Sequence, residues 1–81
     1  MSYGKNFAIG TLFWNFDMNM LDAILLNGRQ LGGIELGKSF DILINGYWVN
    51  THLIERNDEL YLANIGRAYN SYLGSVIRIT V

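Results

Sequence analysis

Two alternating apolar runs, Ser39-Phe40-Asp41-Ile42-Leu43-Ile44 and Tyr47-Trp48-Val49-Asn50-Thr51-His52-Leu53-Ile54-Glu55, are separated by the dipeptide Asn45-Gly46. Both turn residues readily take positive φ, so a type I′ turn can reverse the chain with the twist that right-handed strands require. A turn this short sets the register: Ile44 faces Tyr47, Leu43 faces Trp48, Ile42 faces Val49 and Phe40 faces Thr51. Side chains alternate along a strand, so Phe40, Ile42, Ile44, Tyr47, Val49, Thr51 and Leu53 share one face. Asp41, Leu43, Trp48, Asn50, His52 and Ile54 share the other. The first face reads as core, and the second is mixed.

The flanking sequence repeats the pattern of short runs and turns. Residues 7–14 form a strand candidate with Ile9, Thr11 and Phe13 on one side and Leu12 and Trp14 on the other. Asn15-Phe16-Asp17-Met18-Asn19 reads as a loop whose Asx side chains can close turns. A strand over 20–26 ends at Asn27-Gly28, and its partner Arg29-Gln30-Leu31 is cut short by Gly32-Gly33. Met18, Leu21, Leu25 and Leu26 fall near helical spacing, but the short length and the flanking Asn-Gly favour a strand. Ile34-Glu35-Leu36 is a short extended piece. Centring a second turn on Asn57-Asp58 places Leu53 opposite Leu62, Ile54 opposite Tyr61 and Arg56 opposite Glu59 as a rim ion pair. Strands over 59–65 and 75–81 complete the chain, with a loop or single helical turn between Gly66 and Gly74.

At 81 residues and 51% hydrophobic content, residues 1–81 make a single domain with one small core. About five to six short strands with closely spaced turns predict an all-β fold, a small SH3-like barrel of antiparallel strands. An open meander would leave residues 7–14 and 75–81 as apolar edges, so these terminal strands are expected to pair with each other.

Composition closes several functional classes. With no cysteine, disulfides and thiolate metal sites are excluded. The longest apolar run, Ala23-Ile24-Leu25-Leu26, is far too short to span a bilayer, and the N-terminus does not read as a signal peptide. The expected location is the cytoplasm, with no membrane partner. Lys5, Arg29, Lys38, Arg56, Arg67 and Arg78 are scattered and the net charge is −1, which argues against a nucleic-acid partner. Equally, no dense acidic face exists to mimic a phosphate backbone.

Few residues carry chemistry. Trp48 beside Leu43, next to an exposed turn, is either a binding hot spot or a core residue covered by another segment. Tyr69-Asn70-Ser71-Tyr72 has a paratope-like composition, against the alternative that one tyrosine plugs the barrel end. His52 is the sole histidine and faces Ser39 in the register, but a metal site or a hydrolytic dyad needs further groups. Glu55, across from Leu60, reads as a rim carboxylate with Arg78 as one possible donor to it, and Gly32-Gly33 is too short for a phosphate loop. No catalytic residue, cofactor site or metal site is expected.

At Gly37-x-x-Phe40, Gly46-x-Trp48, Thr51-x-Leu53/Ile54-Glu55, Tyr61-Leu62 and Val76-Ile77-Arg78-Ile79, the chain resembles a small uncharacterised domain family of Firmicutes plasmids, conjugative elements and phages. The resemblance covers roughly the last two thirds of the chain. His52 stands where that family usually has Arg, Leu60 where it often has Trp, and Glu35-Leu36 where a His-Cys pair is common. A site built on those polar positions would be missing here. The resemblance implies a mobile-element protein of the kind that acts on host machinery. The expected function is therefore a non-catalytic protein-binding module, specifically an inhibitor of a host defence effector of the anti-CRISPR type. The candidate contact residues are Trp48, Leu43, Tyr61, Tyr69, Tyr72 and His52. Alternatives are a single-strand nucleic-acid binder stacking bases on Trp48, Tyr61 and Tyr72, and a homo-oligomer joined through its terminal strand edges.

Overall fold

The computed structural model describes residues 6–80. Its centre is the hairpin of β3 (Ser39–Ile44) and β4 (Tyr47–Arg56). Asn45 and Gly46 reverse the chain at φ of 51° and 84°, and the ladder runs from Ile44–Tyr47 to Ser39–His52 in the expected register. A second turn of the same kind, Asn57 and Asp58 at φ of 55° and 63°, joins β4 to β5 (Glu59–Leu62). It pairs Leu53 with Leu62, Ile54 with Tyr61 and Arg56 with Glu59 in the expected register. The expected Arg56–Glu59 ion pair does not form among the described residues, and Glu59 accepts from the Tyr61 hydroxyl instead.

The remaining strands are β1 (Phe7–Asn15), β2 (Met20–Leu25), β6 (Arg67–Ala68) and β7 (Val76–Thr80). All pairings are antiparallel, and the seven strands lie in the order β2-β1-β7-β3-β4-β5-β6. The fold is all-β, and the terminal strands pair from Phe7–Thr80 to Thr11–Val76, which removes the two apolar edges an open meander would expose. No helix among the described residues is long and apolar enough to cross a membrane.

Several boundaries differ from the sequence reading. The strand expected over 59–65 stops at Leu62, because Asn64 and Gly66 at φ of 67° and 75° fold the chain back into β6. That extra ladder brings the strand count to seven. The single helical turn expected before β7 is a 3-10 helix, Tyr69–Tyr72. The partner expected for β2 is reduced to one bridge, Ile24 to Gln30. Residue 81, placed in the last strand by its alternation, lies outside the described residues. Tyr47, assigned to the core face, is 75% exposed: at the hairpin tip it projects past the packed interior.

The interior is made by Leu12, Leu21, Ala23, Ile34, Phe40, Ile42, Leu53, Leu62, Ile77 and Ile79, with Ile44, Val49, Trp14, Tyr69 and Tyr72 packed against them. Fully burying a Leu or Ile side chain contributes about 1.5–3 kcal/mol, so this single cluster carries most of the drive to fold. Space is tight beneath β1. A Cβ at Gly10 would stand 2.6 Å from the Ile24 carbonyl oxygen, so only glycine permits the close approach of β1 and β2 there.

The segment between β2 and β3 turns the open sheet into a small barrel-like fold. It runs along the free edge of β2, where Leu31 N–H donates to Ala23 O at 2.9 Å and Ile34 N–H to Leu21 O at 2.7 Å. It then reaches the central hairpin, where Gly37 N–H donates to Leu53 O at 3.0 Å. A buried carboxylate fixes its course. Asp22 Oδ1 accepts from the backbone N–H groups of Gly32, Gly33 and Ala23 at 3.0, 2.9 and 2.8 Å, and Oδ2 accepts from Asn15 Nδ2 at 2.9 Å. Gly32 and Gly33, at φ of 103° and 108°, point consecutive amides at one oxygen in the manner of an anion-binding nest. The anion is the protein's own.

Candidate functional site

The alternation that fills the interior sends a second set of side chains to the outer face of β1, β7, β3 and β4. Across these strands Ile9 lies beside Arg78, Arg78 beside Asp41, and Asp41 beside Asn50. Thr11 is flanked by Ile24 and Val76, and Leu43 is paired with Trp48. Phe7, Ile9, Ile24 and Val76 are 54%, 40%, 43% and 38% exposed, and Leu43 and Trp48 are half-buried. The outcome is an apolar surface with one ion pair set into it.

That ion pair organises the face. Arg78 donates Nε–H to Asp41 Oδ2 at 2.8 Å, and Asn50 Nδ2 donates to Asp41 Oδ1 at 3.0 Å and to Ser39 Oγ at 2.9 Å. The Arg78 guanidinium, with help from the Asn50 amide, holds the Asp41 carboxyl below its ordinary value of 3.8 against the opposing effect of burial. The Arg78 Cζ stands 4.5 Å from the centroid of the Trp48 ring and 5.7 Å from that of Phe7. Each such cation–π contact contributes about 0.5–1 kcal/mol at an exposed site. Trp48 is therefore neither core nor free surface: Arg78 lies over its ring and leaves it half-buried.

The sequence candidates separate into two groups. Leu43, Trp48 and His52 lie on the outer face, and Tyr61 continues it beside Ile54. The Tyr61 hydroxyl donates to Glu59, and the hydrogen bond and charge of that carboxylate push the phenol above its ordinary value of 10.0. Tyr69 and Tyr72 instead pack against the interior cluster, and the Tyr69 ring sits 5.1 Å from Trp14 at an interplanar angle of 41°. They close the inside of the fold and do not join the outer patch. Ser39 faces His52 across the ladder, but the Ser39 hydroxyl receives the Asn50 amide. Arg78 turns to Asp41, in place of the Glu55 partnership considered from the sequence. Among the described residues no group of three His, Asp or Glu side chains is placed to hold a metal ion.

Sequence reasoning placed Asp41 on this face without its pairing to Arg78, and missed Arg78, Phe7 and Ile9 as parts of it. A usable signal exists in β1, where Phe7 and Ile9 alternate with the small residues Ala8 and Gly10, so the bulky side chains cannot all be internal. Asp22 was also missed, although a single carboxylate inside the run Met20-Leu21-Asp22-Ala23-Ile24-Leu25 must find partners if buried.

Among solved structures, the chain is similar to a crystal structure of a protein from Ruminococcus gnavus, with 27% identity and a TM-score of 0.71. The match covers 88% of this chain and 99% of that one. No curated protein matches. A protein-family model matches residues 10–79, consistent with the uncharacterised small family to which the sequence motifs pointed. On that match the chain belongs to the family described as a domain of unknown function, DUF5348.

Proposed function

We propose that this domain is a non-catalytic protein-binding module and that the outer face of β1, β7, β3 and β4 is its contact surface. The observation that carries the reading is the apolar outer face itself: Phe7, Ile9, Ile24 and Val76 stand exposed on the sheet face that also carries the half-buried Trp48 and the ordered Arg78. Soluble domains seldom leave such residues contiguous without a use for them, and Trp and Arg are the residue types that dominate binding energy at protein contacts. The narrower reading, an inhibitor of a host defence complex of the anti-CRISPR type encoded on a mobile element, draws on the sequence resemblance.

Two features weigh against the alternatives. Arg78 lies over the Trp48 ring, which leaves it a poor stacking platform for a nucleic-acid base. The terminal strands are paired within the chain and the β2–β3 connector covers the outer edge of β2, so a homo-oligomer would have to join through β6 instead.

The test is affinity capture from a host lysate with the wild-type domain and with Trp48→Ala. Trp48 lies outside the interior cluster, so the variant is expected to keep the wild-type circular dichroism spectrum and a cooperative unfolding transition. It is expected to lose most of any partner that the wild-type domain recovers. Undiminished recovery by the folded variant overturns the choice of face. Saturable, salt-dependent binding of a single-stranded oligonucleotide, or concentration-dependent sedimentation without a partner, would replace the reading with one of the alternatives.

A further inference from the structure

We propose that the outer face holds a carboxylate-binding site at the Nη groups of Arg78, and that the partner fills it with an Asp or Glu side chain. This deepens the protein-binding reading above and rests on it. Arg78 uses Nε–H on Asp41, and among the described residues its Nη groups donate to no protein acceptor. A guanidinium presents its N–H groups as a rigid planar fork matched to a carboxylate. Here the fork is already held, by Asp41 at Nε and by the rings of Trp48 and Phe7, whose centroids lie 4.5 and 5.7 Å from Cζ. Little rotamer freedom remains to be lost when a ligand arrives.

The sheet provides the opening. β7 continues to Thr80 and β3 begins at Ser39, yet their ladder consists only of Asp41–Arg78 and Ile42–Ile77. Past Arg78 the strands part around a cleft of about 420 Å³, lined among others by Lys38, Ser39, Asp41, Arg78 and Thr80. Lys38 and Arg78 are its cations, and Asp41 is its one carboxylate. Asp41 is already taken by Arg78 and Asn50. One negative charge is needed to balance the lining, which a carboxylate supplies. A phosphate dianion exceeds that balance and would crowd Asp41. Phe7 lines the cleft, and Ile9 and Val76 stand exposed beside Arg78 on the same face, which fits a carboxylate carried on a protein surface better than one on a small polar metabolite.

The experiment titrates the ¹⁵N-labelled domain with sodium acetate, against sodium phosphate and sodium chloride at matched ionic strength. The Trp48 indole N–H and the Arg78 side-chain resonances are followed. Acetate is expected to shift both saturably in the millimolar range. Affinity should fall at least tenfold in Arg78→Lys, which keeps the charge and removes the fork, and about threefold in Lys38→Ala. Acetate shifts no larger than those of chloride overturn the site, as does unchanged affinity in a folded Arg78→Lys domain. Should that variant fail to fold, the wild-type titration and Lys38→Ala decide. Tighter binding of phosphate than of acetate overturns the carboxylate assignment. Partner capture separates this inference from the reading beneath it. Loss of partner by Trp48→Ala with full retention by Arg78→Lys leaves the binding face standing and removes the carboxylate. Retention by both removes the face.

Discussion

Removing the Asp22 carboxylate should destabilise the fold more than any other single polar change, and the size of the effect follows from its partners. In Asp22→Ala, Gly32 N–H lies at an exposed residue and can turn to water. Gly33 N–H, the N–H of the fully buried Ala23 and the amide of the buried Asn15 lose their acceptor with less access to solvent. A donor left unpaired in such a site costs about 1–3 kcal/mol, so the three together, at the lower end of that range, put the variant roughly 3 kcal/mol below wild type. For a domain of this size that is a fall of roughly 12–24 °C in Tm. Asp22→Asn should cost roughly 1 kcal/mol, since its carbonyl oxygen can still serve the backbone amides while its NH₂ confronts that of Asn15. Asn15 cannot turn over freely to help, because its Oδ1 already accepts from Met18 N–H at 3.1 Å. The pH dependence is the sharper check. Burial raises the Asp22 pKa, but the hydrogen bonds from Asn15, Gly33, Ala23 and Gly32 together outweigh it and leave the carboxyl below 3.8. A group with a depressed folded-state pKa contributes its full stability above its unfolded value, about 3.9, and loses it as pH falls toward the folded one. The gap between wild type and Asp22→Asn, read from urea unfolding, should therefore be constant above about pH 5 and shrink below about pH 4. Asp41 is present in both proteins and cancels. A gap near zero at pH 7, or one that does not narrow in acid, would refute the argument.

Gly10→Ala should destabilise by about 1–3 kcal/mol, because its Cβ meets the backbone oxygen of Ile24 at 2.6 Å and the two strands must move apart to admit it. Urea midpoints measure this, and a neutral result would show that the β1–β2 contact is looser than it stands. Ile77→Ala, at a fully buried position laddered to both Gly10 and Ile42, should lower stability by about 2–5 kcal/mol with an unchanged denaturant slope.

The parts of the fold that could be read in advance are those fixed by contacts close in sequence. Asn45-Gly46 and Asn57-Asp58 each determine a ladder, since a two-residue turn leaves one register and one choice of faces. Pairing of the terminal strands was also legible, from the hazard of leaving both as apolar edges. The β2–β3 connector was not. Its path depends on Asp22 capturing amides ten and eleven residues away, and Arg29-Gln30-Leu31 carries the local pattern of a strand whether or not that capture occurs. Trp48 posed the same difficulty. Whether it is covered depends on Arg78, which reaches it across β3 and has no local relation to it.

The outer face shows why hydrophobicity alone could not locate the proposed binding surface. On β1 the inward positions are held by Ala8, Gly10 and Leu12, while Phe7 and Ile9 turn outward. The close approach of β1 and β2 bears on that division: a Cβ at Gly10 would meet the Ile24 backbone, so no larger side chain can take that inward position. Some of the apolar exposure thus follows from strand packing and alternation, and Phe7, Ile9 or Ile24 taken singly argues little for a partner. Arg78 is different in kind. Nothing in the packing requires a guanidinium to be held at Nε by Asp41 and laid over Trp48 and Phe7 with its Nη edge open, whereas recognition of an acidic group is favoured by all three.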